Sequence, residues 1–163
     1  MQIVLRNVVR GIDRINWLCG WLLALLLLVM TVLISWQVFA RYVMGNSLTF
    51  SEEVARFSMV WMTMLGAGYA YRYGSLISVE LLADIGGRRF SKFLRLGVAV
   101  ISCIFAWVLL TQGINIAERV AGQTAPSTRV SMAWLYGAMP AGAALIMLNA
   151  VAILLDAFIA KED

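Results

Sequence analysis

The chain has no histidine, two cysteines, two prolines and few charges, with Asp, Glu, Lys and Arg together making only 13% of its 163 residues. Each scarcity excludes something. Without histidine there can be no bis-histidine haem, and the commonest ligand of transition-metal sites is missing. Cys19 and Cys103 lie in different apolar runs, without the CxxC spacing that a dithiol oxidoreductase uses, and read as buried, inert thiols. No cofactor, metal or catalytic residue is expected. A soluble domain carries roughly 25% charged and 45–50% apolar residues. Here 62% of the chain is hydrophobic and the mean hydropathy is +0.85, so the composition is that of an integral membrane protein.

The charges that are present sit between the apolar runs. A net charge of +4 would point to nucleic acid only if the basic residues shared one surface stripe. Distributed as they are, membrane lipids are the expected anionic partner, and no nucleic acid is expected.

Residues 1–16 carry Arg6, Arg10 and Arg14 at helical spacing, with Val8, Val9, Ile12 and Ile15 mostly on another face. This predicts a basic amphipathic helix lying in the membrane interface. It is read as retained, because no small-residue cleavage pattern precedes the apolar run. Ile15 to Ala40 holds no charge and exceeds the ~20 residues needed to cross a ~30 Å hydrocarbon core, so a first span is predicted over about 17–40. Trp17, Trp21 and Trp36 near its ends fit the interfacial aromatic belt.

The next uncharged run, Phe57 to Tyr71, reaches only ~22 Å as a helix and is too short alone. Beginning the span at Ser51 makes it long enough, but draws Glu53 and Arg56 to the headgroup boundary. A second span over about 51–73, with ionisable residues in its first turns, is the expectation. Ile77, Leu81 and Ile85 then repeat at helical spacing opposite Glu80 and Asp84, predicting an interfacial helix over about 77–86 stopped by Gly86 and Gly87. Third and fourth spans follow over about 94–117 and 131–157. Pro140 should bend or loosen the last, since it lacks a backbone donor and clashes with the carbonyl four residues back.

The predicted fold is therefore an all-α integral membrane protein, a single domain of four transmembrane helices plus short amphipathic interfacial helices. Nine of the 13 lysines and arginines fall in the segments on the amino-terminal side, so both termini are expected in the cytoplasm. The Glu52, Glu53 and Arg56 cluster then lies on the opposite side, beside the loop from Arg119 to Arg129.

Glu52 and Glu53 could serve as a cation or proton site, because ionisable residues within spans are costly. They could equally complement the helix dipole and pair with Arg56. Neighbouring helical positions point ~100° apart, so only one of the two carboxylates can face a given partner. Gly66-x-x-x-Ala70, Gly137-x-x-x-Ala141 and Ala138-x-x-x-Gly142 are small-residue steps that allow close helix packing. Trp61, Trp107 and Trp134 read as packing or lipid-facing groups. Thr31, Ser35, Gln37, Thr63, Ser102, Gln112 and Asn149 are hydroxyls and amides expected to hydrogen-bond within the bundle. A transporter acting alone needs polar groups near the midplane, usually on broken helices at a repeat interface, and the middles of these spans offer only such hydroxyls, amides and thiols.

In order and spacing, Glu52-Glu53-x-x-Arg56, Trp61, Leu65-Gly66-Ala67, Ala70, Arg72-x-Gly74, Gln123-x-x-Pro126 and Trp134-x-Tyr136-x-x-x-Pro140 resemble the DctQ-type small membrane subunit of tripartite ATP-independent periplasmic (TRAP) transporters. Ser75 departs from the pattern, where the family often has histidine. The resemblance implies a subunit of the bacterial inner membrane that pairs with a large membrane subunit as a heterodimer. That larger protein holds the substrate and sodium sites, and a periplasmic substrate-binding protein delivers an organic anion. It implies subunit-interface or structural roles for Glu52, Glu53, Arg56, Trp61, Gly66, Arg72, Pro126, Tyr136 and Pro140. The alternative from another class is a small homo-oligomeric secondary transporter or channel acting alone, with a carboxylate such as Glu53 or Asp156 titrating with substrate.

Overall fold

The structure, a computed structural model, describes residues 2–45 and 49–159, with side chains for 6–45, 49–74 and 96–155. Four helices follow in order: α1 (Gln2–Val43), α2 (Thr49–Arg119), α3 (Met132–Tyr136) and α4 (Ala138–Ile159). Among the described residues the extended pairing is confined to an isolated antiparallel bridge between Thr124 and Ser131.

α1 is continuous over 42 residues, about 63 Å at 1.5 Å per residue. No backbone break marks the expected passage from interfacial helix to span, because Asn16 and Trp17 offer nothing that ends a helix. The boundary there is one of composition.

α2 is helical residue by residue for 71 residues, yet it is not one rod. Straight, it would hold Gly68 and Gly113 about 67 Å apart. Both instead pack on one stretch of α4, Gly68 against Leu145 and Gly113 against Pro140. The side chains of Tyr71 and Ser102 also meet. The helix therefore turns back between those two residues, giving a first limb over residues 49–74 and a second over Leu96–Arg119. The backbone stays helical across 75–95, through Gly86 and Gly87. The side chains that would define an interfacial face over 77–86 lie outside the described residues, as does that of Asp156.

Contacts fix the directions. Met64 meets Gly142, Gly68 meets Leu145, and the Gly68 carbonyl reaches Asn149, so the first limb runs parallel to α4. The second limb runs back against both. α4 is the centre of the bundle, with Ala138, Ala143, Asn149, Ala150 and Ala152 fully buried. Small side chains permit this closeness, since a Cβ at Gly142 would lie 2.6 Å from the Met64 carbonyl oxygen. α1 and the second limb turn large apolar residues outward, among them Leu18, Leu25, Leu28, Val32, Ile101, Ile104 and Phe105.

Among the described residues three helical stretches are long and apolar enough to cross a membrane: Arg6–Val43, Leu96–Arg119 and Met132–Leu155. The first limb of α2 does not join them by composition, because glutamates, arginines and tyrosines crowd its ends.

The expected effect of Pro140 falls three residues upstream of it, at Gly137. It stands in the first turn of α4, where a missing N–H is harmless, and it can offer no donor to the Tyr136 carbonyl. The helix that would run unbroken from Met132 is interrupted at Gly137, between α3 and α4. Gly113 opposite leaves the room that the proline ring occupies, 2.9 Å from where a Cβ would be.

Candidate functional site

The polar groups gather at two ends of the first limb and at one level inside the bundle. At the amino-terminal end, Glu52 and Glu53 point different ways, as adjacent helical positions must. Glu52 takes Arg56 one turn on, Oε1 to Nη2 at 3.5 Å, with both side chains well exposed. Glu53 reaches instead across the bundle. Its Oε2 accepts hydrogen bonds from the backbone N–H of Ser127 at 3.1 Å and of Thr128 at 2.6 Å.

The loop that it holds is built to present those donors. The Ala125 N–H donates to the Val130 carbonyl, Arg129 N–H to Ala125, and Met132 N–H to Gln123, while Ser131 Oγ donates to the Ala121 carbonyl and caps α3 by accepting from Ala133. Ala125 is buried beneath the tip and Arg129 closes it at φ 55°, a left-handed conformation uncommon for a residue with a Cβ. With the tip folded so tightly, the Ser127 and Thr128 N–H groups have no partner inside the loop, and a carboxylate supplies one. Between limb and loop lies an open cleft of about 190 Å³ lined by Thr49, Glu52, Glu53, Arg56, Pro126 and Ser127.

Two turns further along the limb, Trp61 Nε1 donates to the Trp134 carbonyl at 3.0 Å. In an unbroken helix that carbonyl would accept from Ala138. The indole therefore satisfies a group exposed by the α3–α4 interruption. Gly66 faces α1, with Leu23 3.9 Å from where a Cβ would stand. Tyr136 is exposed at the end of α3 and is not brought together with the other expected residues.

The other end of the limb carries Arg72, whose side chain is 9% exposed. Its Nε and Nη2 both donate to Asp13 Oδ1 of α1, at 3.1 and 3.0 Å. Between the two ends, Asn16 and Asn149 are wholly buried and bonded to each other by both amides, at 2.6 and 2.9 Å. The remaining amide hydrogens go to the Ile12 carbonyl (3.0 Å) and the Gly68 carbonyl (2.8 Å). All four N–H bonds and both oxygens are thus used, tying α1, the first limb and α4 at one level. The hydroxyls of Thr31 and Thr63 turn back instead on carbonyls of their own helices.

Sequence reasoning singled out Glu53 and Arg72 but not their partners, and named Trp61 and Trp134 without pairing them. Asp13 is masked by the arginines around it, and Asn16 by its place at the edge of an amphipathic segment. Asn149 was legible as a lone amide in an apolar run. Cys19 and Cys103 are free and half-buried. Among the described residues there is no group of three side chains suited to a metal ion.

Comparison with known proteins places these features in a family. Residues 30–159 match the family described as "Tripartite ATP-independent periplasmic transporters, DctQ component". The chain is 28% identical over 141 residues to the sialic acid TRAP transporter small permease protein SiaQ of Vibrio cholerae, covering 85% of this chain and 77% of that one. Over 71 residues it is 38% identical to the ectoine TRAP transporter small permease protein TeaB of Halomonas elongata, 42% of this chain and 37% of that one. It is 25% identical over 133 residues to the sialic acid TRAP transporter permease protein SiaT of Haemophilus influenzae, where the match covers 82% of this chain but 22% of the longer protein.

Proposed function

Because the chain belongs to the DctQ family of tripartite ATP-independent periplasmic transporter components, we propose that it is the fixed scaffold of such a transporter. It braces a large membrane subunit in the bacterial inner membrane and helps dock a periplasmic binding protein during sodium-driven uptake of an organic anion. The observation that carries the scaffold reading is where the buried and half-buried polar groups go. Asn16, Asn149, Glu53 and Arg72 each tie one element of this chain to another, and such ties suit a body against which something else moves. The match to a fraction of a longer permease supports a partner of that kind. Relatives named for sialic acid and for ectoine support placing the choice of solute in other polypeptides.

We propose four spans, over about 17–40, 51–73, 94–117 and 131–157, with both termini in the cytoplasm. The first limb of α2 is the second of these despite its polar ends. Glu53 and Arg72 are separated by ~28 Å along a helix, close to the ~30 Å hydrocarbon thickness. Each is engaged with a neighbouring element, so the limb crosses with one satisfied ionisable anchor at each boundary. The cleft beside Glu52, Glu53 and Arg56 then opens to the periplasm. Its exposed charges make it the candidate contact for the binding protein, or for a periplasmic loop of the large subunit. Trp61, Pro126 and Pro140 are assigned to packing of this end and of the α3–α4 joint, Gly66 to packing against α1, and the exposed Tyr136 to a subunit contact.

A tagged copy isolated from its native membrane should carry an equal amount of a large, many-span protein. Arg56→Glu should reduce uptake, or recovery of that partner, while leaving insertion unchanged. Recovery of homo-oligomers alone, or cation or solute flux by the isolated chain in liposomes, would replace the scaffold reading with that of a small independent transporter.

A further inference from the structure

A second concavity lies at the Arg72 end. It has a volume of about 350 Å³ and is lined by Trp17, Gly20, Trp21 and Ala24 of α1 and by Tyr69 and Tyr73 of α2. Its walls are two aromatic pairs. Trp17 and Trp21 meet edge to face at 6.0 Å, and Tyr69 and Tyr73 lie 4.8 Å apart. Gly20 forms the floor, since a Cβ there would stand 3.2 Å from the Tyr69 ring; the absence of a side chain lets the tyrosine settle against α1. Trp17 and Trp21 remain 61% and 65% exposed and Tyr73 46%, so the chain itself leaves these paired rings uncovered.

Charge decides what fits it. At 100° per residue, Arg10, Arg14, Trp17, Trp21 and Ala24 fall within an arc of about 80° on α1. The two exposed arginines thus continue the cleft's own stripe toward the amino terminus. Asp13, the carboxylate nearest them in sequence, gives an oxygen to Arg72 and is offset toward α2. Arg14 to Trp21 spans ~10 Å along the helix, a phosphate-to-upper-acyl-chain distance.

We infer that this cleft is a binding site for an anionic phospholipid of the leaflet on the amino-terminal side, with one acyl chain between the tryptophan and tyrosine pairs and the phosphate on Arg10 and Arg14. Aromatic rings at the headgroup level and basic residues just outside it recognise the two halves of such a molecule. The site rests on the reading of α1 as a helix that enters the membrane.

The full chain in nanodiscs, with phosphatidylglycerol or phosphatidylcholine brominated on the acyl chain at equal mole fraction, tests it by tryptophan quenching. A Trp17→Phe/Trp21→Phe variant subtracts the other four of the six tryptophans. Quenching of this pair by brominated phosphatidylcholine reports that it sits in the bilayer at all, so failure of the topology and failure of the site are distinguishable. Brominated phosphatidylglycerol should quench the pair more strongly, with enrichment of roughly fivefold per arginine. Arg10→Gln/Arg14→Gln should abolish the preference while helicity by circular dichroism is unchanged. Equal quenching by the two lipids, a preference that survives the double substitution, or loss of quenching when the large subunit is added would overturn the assignment.

Discussion

The side-chain amides of Asn16 and Asn149 exchange hydrogen bonds in both directions, although 133 residues separate them. With the Ile12 and Gly68 carbonyls they complete a fully satisfied buried network joining three helices. In an apolar bundle such a network specifies alignment, because any slip of one helix leaves polar groups unpaired.

Asn149→Leu should therefore destabilise more than its change in polarity suggests, by stranding the Asn16 amide and the Gly68 carbonyl. At ~0.6 to ~1.7 kcal/mol per interhelical bond, about 2 kcal/mol is expected. In detergent this would appear as a fall in Tm of about 4–8 °C. The double variant Asn16→Leu/Asn149→Leu should lose less than the sum of the two single variants. Strict additivity would show that the amides act separately.

Asp13 and Arg72 form an ion pair with one member buried and one half-exposed. Its worth should lie between a surface pair, ~0–1 kcal/mol, and a buried one, whose disruption costs about 3–5 kcal/mol. Asp13→Ala is expected to cost about 1–3 kcal/mol on those bounds. The exchange Asp13→Arg/Arg72→Asp should recover part of the loss. Thermal melts of the single and exchanged variants check it, and no recovery would mean that the surroundings are matched to the charges as they stand.

The glycines separate sharply. A Cβ at Gly142 would meet the Met64 backbone at 2.6 Å, and one at Gly68 would meet Leu145 at 2.9 Å, whereas Gly66 has its nearest neighbour at 3.9 Å. Gly142→Ala should cost the most, since backbone cannot yield as a flexible side chain can, and overpacking typically costs about 1–3 kcal/mol. Gly68→Ala should be intermediate and Gly66→Ala close to neutral. Melting temperatures in the same detergent would test the order.

That order also shows where sequence stops being informative. Small-residue steps named Gly66 and Gly142 alike, but spacing cannot tell which glycine faces a backbone and which faces a side chain. The helical, membrane-spanning character of the chain was plain from long apolar runs, because the bilayer forces backbone bonds to close locally. Trp61 read only as a packing or lipid-facing ring, while Glu53 and Arg72 stood out as charged groups at the ends of an expected span. Their partners did not, because a backbone N–H carries no sequence signature and Asp13 sits among arginines that draw the eye. The Pro140 effect was legible in kind, while its location at Gly137 followed only once α3 and α4 were seen as separate helices.

Glu52 and Glu53 offer the most discriminating test, being neighbours with different work. The Glu52 pair with Arg56 is exposed and one turn apart, and such pairs contribute about 0.3–0.5 kcal/mol. Glu53 instead accepts two backbone hydrogen bonds from the loop tip, and bonds to charged groups contribute about 1.5–3 kcal/mol each where shielded from water. Solvent at the open cleft reduces that figure. Glu53→Ala should still raise amide hydrogen exchange at Ser127 and Thr128 by about tenfold or more, whereas Glu52→Ala should change it by about twofold at most. Glu53→Gln keeps an acceptor without the charge and should fall between. If the loop is part of the docking surface, uptake by the reconstituted transporter should follow the same ranking. Uptake that drops with Glu52→Ala while the loop stays protected would instead assign the contact to the exposed ion pair and leave Glu53 a purely internal tie.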